Sequence, residues 1–117
     1  MGEKSFHRAL DRQFGLSDNR FASRKGVEIP ADVRQLGFGK VGVMVIDLSL
    51  TGFRMRCMTR LSYEKPVFMT LPSFAALESK ICWNNDDLYG CQFETTLYPA
   101  VFDHIVTRYP SLKEGSF

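Results

Sequence analysis

Two arginines near the start of this sequence have the type and spacing to bind an anionic ligand. Arg20 and Arg24 stand four positions apart in the run 20–24, just before the first strand-like segment. Guanidinium groups are planar, permanently charged and present parallel donors that fit a phosphate or the acceptor edge of guanine. Such a pair also occurs often as solvated surface charge, so by itself it indicates only a local concentration of positive charge.

A second polar group follows the most apolar run of the sequence and consists of Asp47, Ser49 and Gly52. Aspartate is depleted in strands, and a carboxylate here can accept the N1 and N2 donors of a guanine. Ser49 can bond a base edge or a phosphate, and Gly52 permits a positive φ or the close approach of a ligand. The alternative is a structural turn, in which Asp47 and Ser49 satisfy backbone N–H groups.

Trp83 is the only tryptophan, and it lies in a strand-like run. Its indole can stack on a guanine, a contact worth about 1–3 kcal/mol per base in other proteins. The alternative is a tryptophan packed in the core or against a helix, because strict alternation places Ile81 and Trp83 on the same face. The residue types alone leave both interpretations open.

Six apolar or alternating segments predict the strands that position these residues. They lie at residues 27–34, 41–47, 53–57, 66–71, 79–83 and 88–94. Pro30 favours an edge position or a bulge, and the run 41–47, apolar on both faces, is expected to be the best-buried strand. Apolar residues then recur at helical spacing from Pro99 to Tyr109, and Pro110 stops the helix. This pattern indicates a mainly β fold, a small antiparallel barrel with a C-terminal helix packed against it.

The composition limits the classes of function. A chain of 117 residues is one domain by size, and its net charge of +2 is too balanced for general binding of DNA or RNA. The sequence has neither an apolar run long enough to span a bilayer nor a signal-peptide pattern, so we expect no membrane insertion and a cytoplasmic location.

Neither metal chemistry nor catalysis is expected from the reactive side chains. Cys57, Cys82 and Cys91 form no CxxC pair, so a zinc site is poorly supported, and small buried hydrophobes are the better interpretation. Ser49 has no evident histidine partner for nucleophilic catalysis. We therefore expect neither an enzyme nor a bound metal.

Taken together, the two polar groups resemble the motifs of the PilZ domain family. RxxxR stands at residues 20–24 and DxSxxG at residues 47–52, a little over twenty positions apart and on either side of the first two strands. The resemblance extends from about residue 19 to residue 109. It implies a PilZ domain at residues 20–110, with a tail or short helix at 1–19 and a C-terminal tail at 111–117.

The resemblance implies a six-stranded antiparallel barrel that binds cyclic di-GMP, a bacterial second messenger, without a further cofactor. The residues it assigns to the ligand are Arg20, Arg24, Asp47, Ser49, Gly52 and Trp83. The arginines would grip phosphates and guanine edges, Asp47 and Ser49 would read guanine, and Gly52 would leave room. Trp83 is favoured as a ligand contact because similar sequences often carry an aromatic residue there. Whether one ligand molecule or an intercalated pair binds stays open.

The resemblance also suggests how a signal would leave the domain. Residues 16–25 would be mobile without ligand and clamp down on it, and an unidentified effector protein would read the change. The alternative is a PilZ-like adaptor that acts through protein contacts without binding a nucleotide. The complete motifs argue against that alternative.

Overall fold

A computed structural model describes residues 23–111 of the chain. The strands are β1 (Lys25–Arg34), β2 (Val41–Leu48), β3 (Gly52–Arg56), β4 (Val67–Thr70), β5 (Leu77–Asn85) and β6 (Leu88–Phe93), and the helix is α1 (Pro99–Arg108). The predicted mainly β fold, six strands followed by one helix, is confirmed. The N-terminal segment 1–19 and Arg20 lie outside the described residues, as does most of the tail predicted at 111–117.

The six strands form a closed antiparallel barrel in the order β1-β2-β3-β6-β5-β4. β1 pairs with β4 only over Asp32–Arg34, whereas Pro30 is paired with Met44 of β2. Pro30 therefore lies in the half of β1 that pairs with β2 on one side and does not pair with β4 on the other. Because proline has no N–H to donate, this one-sided position suits it, as the sequence predicts.

Alternate residues of the strands fill the interior of the barrel. Ile29 of β1, Val45 of β2 and Met55 of β3 are each fully buried. The expectation that β2 is the best-buried strand was wrong, because four of its eight residues are buried against four of six in β6, and Met44 points outward and is 39% exposed. A small closed barrel has one interior, so even a strand that is apolar throughout buries only one of its faces.

Helix α1 packs on the barrel through Ile105, which is 1% exposed. Pro99 occupies its first turn, and the Tyr109 N–H donates to the Ile105 carbonyl where the helix ends. The chain then bridges back to β1, where the Glu28 N–H donates to the Tyr109 carbonyl at 3.2 Å and Val27 pairs with Pro110. The segment after α1 thus lies beside the first residues of β1. Within residues 23–111, no helix is long and apolar enough to cross a membrane.

No disulfide bond joins the three cysteines. Cys57 and Cys91 are buried in the core. Burial raises the pKa of the Cys57 thiol, partly offset by a hydrogen bond from the backbone of Thr59, and burial likewise raises the pKa of the Cys91 thiol. Both thiols therefore stay protonated at neutral pH and are poor nucleophiles. In the part of the chain that the structure describes, no group of three or more potential ligand side chains could hold a metal ion.

Candidate ligand-binding site

The turn between β2 and β3 is held by Ser49. Its N–H donates to the Gly52 carbonyl at 2.9 Å, and its hydroxyl accepts from the N–H groups of Thr51 at 3.2 Å and Gly52 at 3.1 Å. The side chain is buried, with the residue 6% exposed. The contacts of Ser49 therefore stabilise the turn, because its hydroxyl satisfies two backbone donors there.

Gly52 begins β3 at a point where two strands run unusually close together. A Cβ at this position would lie 2.2 Å from the carbonyl oxygen of Cys91 in β6. The φ of Gly52 is not positive. Glycine is thus required at position 52 because the backbone of β6 leaves no room for a Cβ. A left-handed conformation is not the reason.

A β-bulge in β2 sets the direction of Asp47. Val45 pairs with Met55, but Asp47 pairs with Arg54, so β2 has one more residue than β3 across this step. Strict alternation from the buried Val43 and Val45 would send Asp47 into the core. The extra residue reverses the alternation, and Asp47 instead lies beside Arg54 on the outer face of the barrel.

The Asp47 carboxylate lies between two guanidinium groups. The Nε of Arg54 donates to Oδ2 at 2.6 Å, and Nη2 of Arg54 contacts the same oxygen. Nη1 of Arg24 lies 3.8 Å from Oδ1, too far for a hydrogen bond. Oδ1 is buried and has no hydrogen-bond partner within residues 23–111. Buried polar atoms are normally paired, and residues 23–111 leave Oδ1 as an acceptor without a donor.

A second bulge turns Trp83 outward. Ile81 pairs with Cys91, and Trp83 pairs with Gly90, so Cys82 is the additional residue in β5. Ile81 is 6% exposed and Trp83 is 37% exposed, which excludes the core position for the tryptophan. A Cβ on Gly90 would lie 2.2 Å from Cε2 of the indole. The indole therefore lies over the glycine, on the outer face of the barrel.

Strand register joins these side chains into one line across the sheet. Asp47 pairs with Arg54, Arg54 with Gly90, and Gly90 with Trp83. We call these four residues the Asp47–Trp83 row, which spans three strand spacings, or about 14 Å along the sheet. Arg24 stands at the Asp47 end, because the neighbouring Gly26 is paired with Asp47. The row offers an anionic acceptor, a cation and an aromatic ring on one surface.

Most of the residues that the sequence assigns to a ligand are close to this row. Arg24, Asp47 and Trp83 share the outer face, while Ser49 and Gly52 form the adjoining turn; Arg20 lies outside the described residues. Arg54 is the residue of this surface that sequence reasoning missed. The alternation of residues 53–57 places Arg54 away from the core, but no local signal shows that its partner is Asp47.

Comparison with known sequences decides the family. The family model described as PilZ domain matches residues 18–107, which is most of the chain. The chain belongs to the PilZ domain family. The matched region contains both motifs, the whole Asp47–Trp83 row of this PilZ barrel and all but the last residue of α1. PilZ domains are receptors for cyclic di-GMP, and no catalytic family is indicated. No curated protein matches this PilZ chain.

Proposed function

We propose that this PilZ domain binds cyclic di-GMP on the outer face of its barrel. The observation that carries the proposal is the Asp47 carboxylate, which is buried between two cations with one oxygen lacking a hydrogen bond among the described residues. Guanine presents the N1 and N2 donors side by side on one edge, and a carboxylate accepts such a pair. Adenine lacks this pair of donors, so the site favours guanine.

The rest of the face suits the remainder of the ligand. Cyclic di-GMP carries two phosphates, and the Arg24 side chain, 52% exposed, can turn towards one of them. We assign Arg20 the same task from its matching motif position. The exposed indole of Trp83 offers a surface for stacking a base, which contributes about 1–3 kcal/mol in other proteins. Ser49 and Gly52 hold the turn that presents Asp47.

Calorimetric titration of cyclic di-GMP tests this function. We expect saturable binding to the wild-type protein and at least about tenfold weaker binding to Arg24→Ala, since a charge-assisted hydrogen bond contributes about 1.5–3 kcal/mol. The matched control is Arg34→Ala, an exposed arginine at the opposite end of β1, which should bind as the wild type does. The stoichiometry separates one ligand molecule from a pair. No heat and no thermal shift with folded wild-type protein would contradict the proposal.

We further propose that the signal leaves through the N-terminal segment to an effector protein in a bacterial cytoplasm. Residues 16–25 would close over the ligand, and they precede the part of β1 that bonds to the chain after α1. Saturating cyclic di-GMP should therefore slow hydrogen exchange in residues 16–25, while the remote strand β4 serves as an internal reference. Exchange in residues 16–25 that does not respond to ligand would exclude this relay.

The alternative function is an adaptor that binds a protein and no nucleotide. A shallow, open depression of the surface favours it, because Met44 and Phe74 line it together with Met58, which is 86% exposed. Partner capture that is indifferent both to cyclic di-GMP and to Arg20→Ala would support the adaptor. Capture that requires the nucleotide would exclude it.

A further inference from the structure

Among residues 23–111, Arg54 makes the closest contact with the proposed guanine-reading group, Asp47, although neither motif contains it. Its Nε and Nη2 both meet Oδ2 of Asp47, and neither bonds Oδ1. The two residues are also fixed opposite one another by the β2–β3 register. Arg54 therefore holds one oxygen of the carboxylate, and no residue in the described range 23–111 forms a hydrogen bond to the other.

We propose that Arg54 is a positioning residue for base recognition, which fixes the Asp47 carboxylate so that Oδ1 stays free to accept from guanine. This inference rests on the proposed binding of cyclic di-GMP. A carboxylate turns about its terminal bond unless its oxygens are held, because that torsion is broad. Two N–H groups of one planar guanidinium on a single oxygen remove this freedom before the ligand arrives, so less ordering is needed on binding.

Arg54 also supplies the charge that keeps the site intact when ligand binds. The Asp47 side chain is 8% exposed, and a buried carboxylate needs a cation nearby. Arg24 is the more exposed of the two cations, at 52% against 36% for Arg54, and it is the one proposed to turn to a phosphate. Arg54 then remains as the counter-ion of Asp47, next to Gly90 in the row.

Arg56 provides a matched control on the same strand and the same face. Its Nη1 contacts Oδ1 of Asp87 at 3.1 Å, and both of these side chains are substantially exposed. Arg56→Gln therefore removes an arginine and an ion pair from β3 without touching Asp47. Arg54→Gln removes the contact with Asp47 and keeps a polar side chain of similar size.

The experiment measures the affinities of full-length variants for cyclic di-GMP and for cyclic di-AMP, with thermal unfolding to show that each variant is folded. Arg54→Gln should bind cyclic di-GMP at least about tenfold more weakly and lose preference over cyclic di-AMP, since it loses orientation of the base-reading group. Arg54→Lys should recover part of the affinity, and Arg56→Gln should stay within about twofold of wild type. If Arg54→Gln does not fold, the affinities of Arg54→Lys for the two nucleotides are compared with those of the wild type instead.

A double-mutant cycle with Asp47→Asn separates positioning from direct contact. If Arg54 acts through Asp47, adding Arg54→Gln to Asp47→Asn should weaken binding by no more than about twofold further. Three results would overturn the inference: wild-type affinity in folded Arg54→Gln, equal losses for both nucleotides, or additive effects in the cycle. Absence of binding by the wild type would instead overturn the proposed function, and the inference with it.

Discussion

Asp47→Asn is expected to weaken the binding of cyclic di-GMP at least about a hundredfold. The substitution keeps the shape of the side chain but replaces one acceptor oxygen with an NH₂ group, which opposes the guanine donors instead of accepting from them. The charge-assisted hydrogen bond from guanine to Oδ1, worth about 1.5–3 kcal/mol, is lost, and two donors then face each other in its place. The NH₂ group of the new asparagine then faces the N–H donors of guanine, so the loss of affinity should exceed that for Arg24→Ala. Calorimetry measures both affinities.

The stability of Asp47→Asn should change much less than its affinity. Removing one member of a buried ion pair is costly when the remaining charge is buried. Here the remaining charge is Arg54, which is 36% exposed and can be solvated. Asp32→Asn is the matched control, because Asp32 lies on the outer side of β1 and is paired with Lys40 at 4.0 Å. Equal affinities for Asp47→Asn and Asp32→Asn would contradict the assignment of Asp47 to guanine.

Gly52→Ala is expected to lower the free energy of unfolding by about 3 kcal/mol or more, which is at the upper end of the cost of overpacking. The added Cβ would meet the Cys91 carbonyl oxygen at 2.2 Å. This neighbour is backbone within the β3–β6 ladder, so it cannot move aside as a flexible side chain would. Urea denaturation followed by circular dichroism measures the change.

Gly42→Ala is the control for the loss of glycine from a strand. Gly42 lies in β2, and nothing lies within 4 Å of the position that a Cβ would take there. Alanine at this position should therefore be neutral or stabilise by about 0.5–1 kcal/mol. If Gly52→Ala and Gly42→Ala unfolded at the same urea concentration, the close approach of β3 and β6 would not be the reason for glycine at position 52.

The elements of the fold could be predicted because their signals are local. A strand with one buried face alternates every second residue, and β1 does so through Val27, Ile29 and Val33, all of them buried. The helix after Pro99 is indicated by a change of period and by its flanking prolines. These patterns are properties of the chain segment itself, so no knowledge of its neighbours is needed to read them.

Whether the side chains of the site residues point into or out of the barrel could not be predicted in the same way. Alternation carried along β2 and β5 places Asp47 and Trp83 inside the barrel, and a bulge in each strand places them outside. A bulge depends on how one strand matches the length of its neighbour, which is a property of the pair. The prediction that Trp83 contacts a ligand came from the family resemblance. The alternation of residues along its strand instead favoured a position in the core.

By itself, then, the sequence determined the kind of barrel, the terminal helix and the two motifs that mark the PilZ family. The tertiary structure alone decided that Arg54 holds one oxygen of Asp47, that Trp83 lies over Gly90, and that these four residues form a single row. The reason is physical. Closure of the barrel sets the register of every strand against two neighbours at once, and the row residues from β2, β3, β6 and β5 are brought together only by that register.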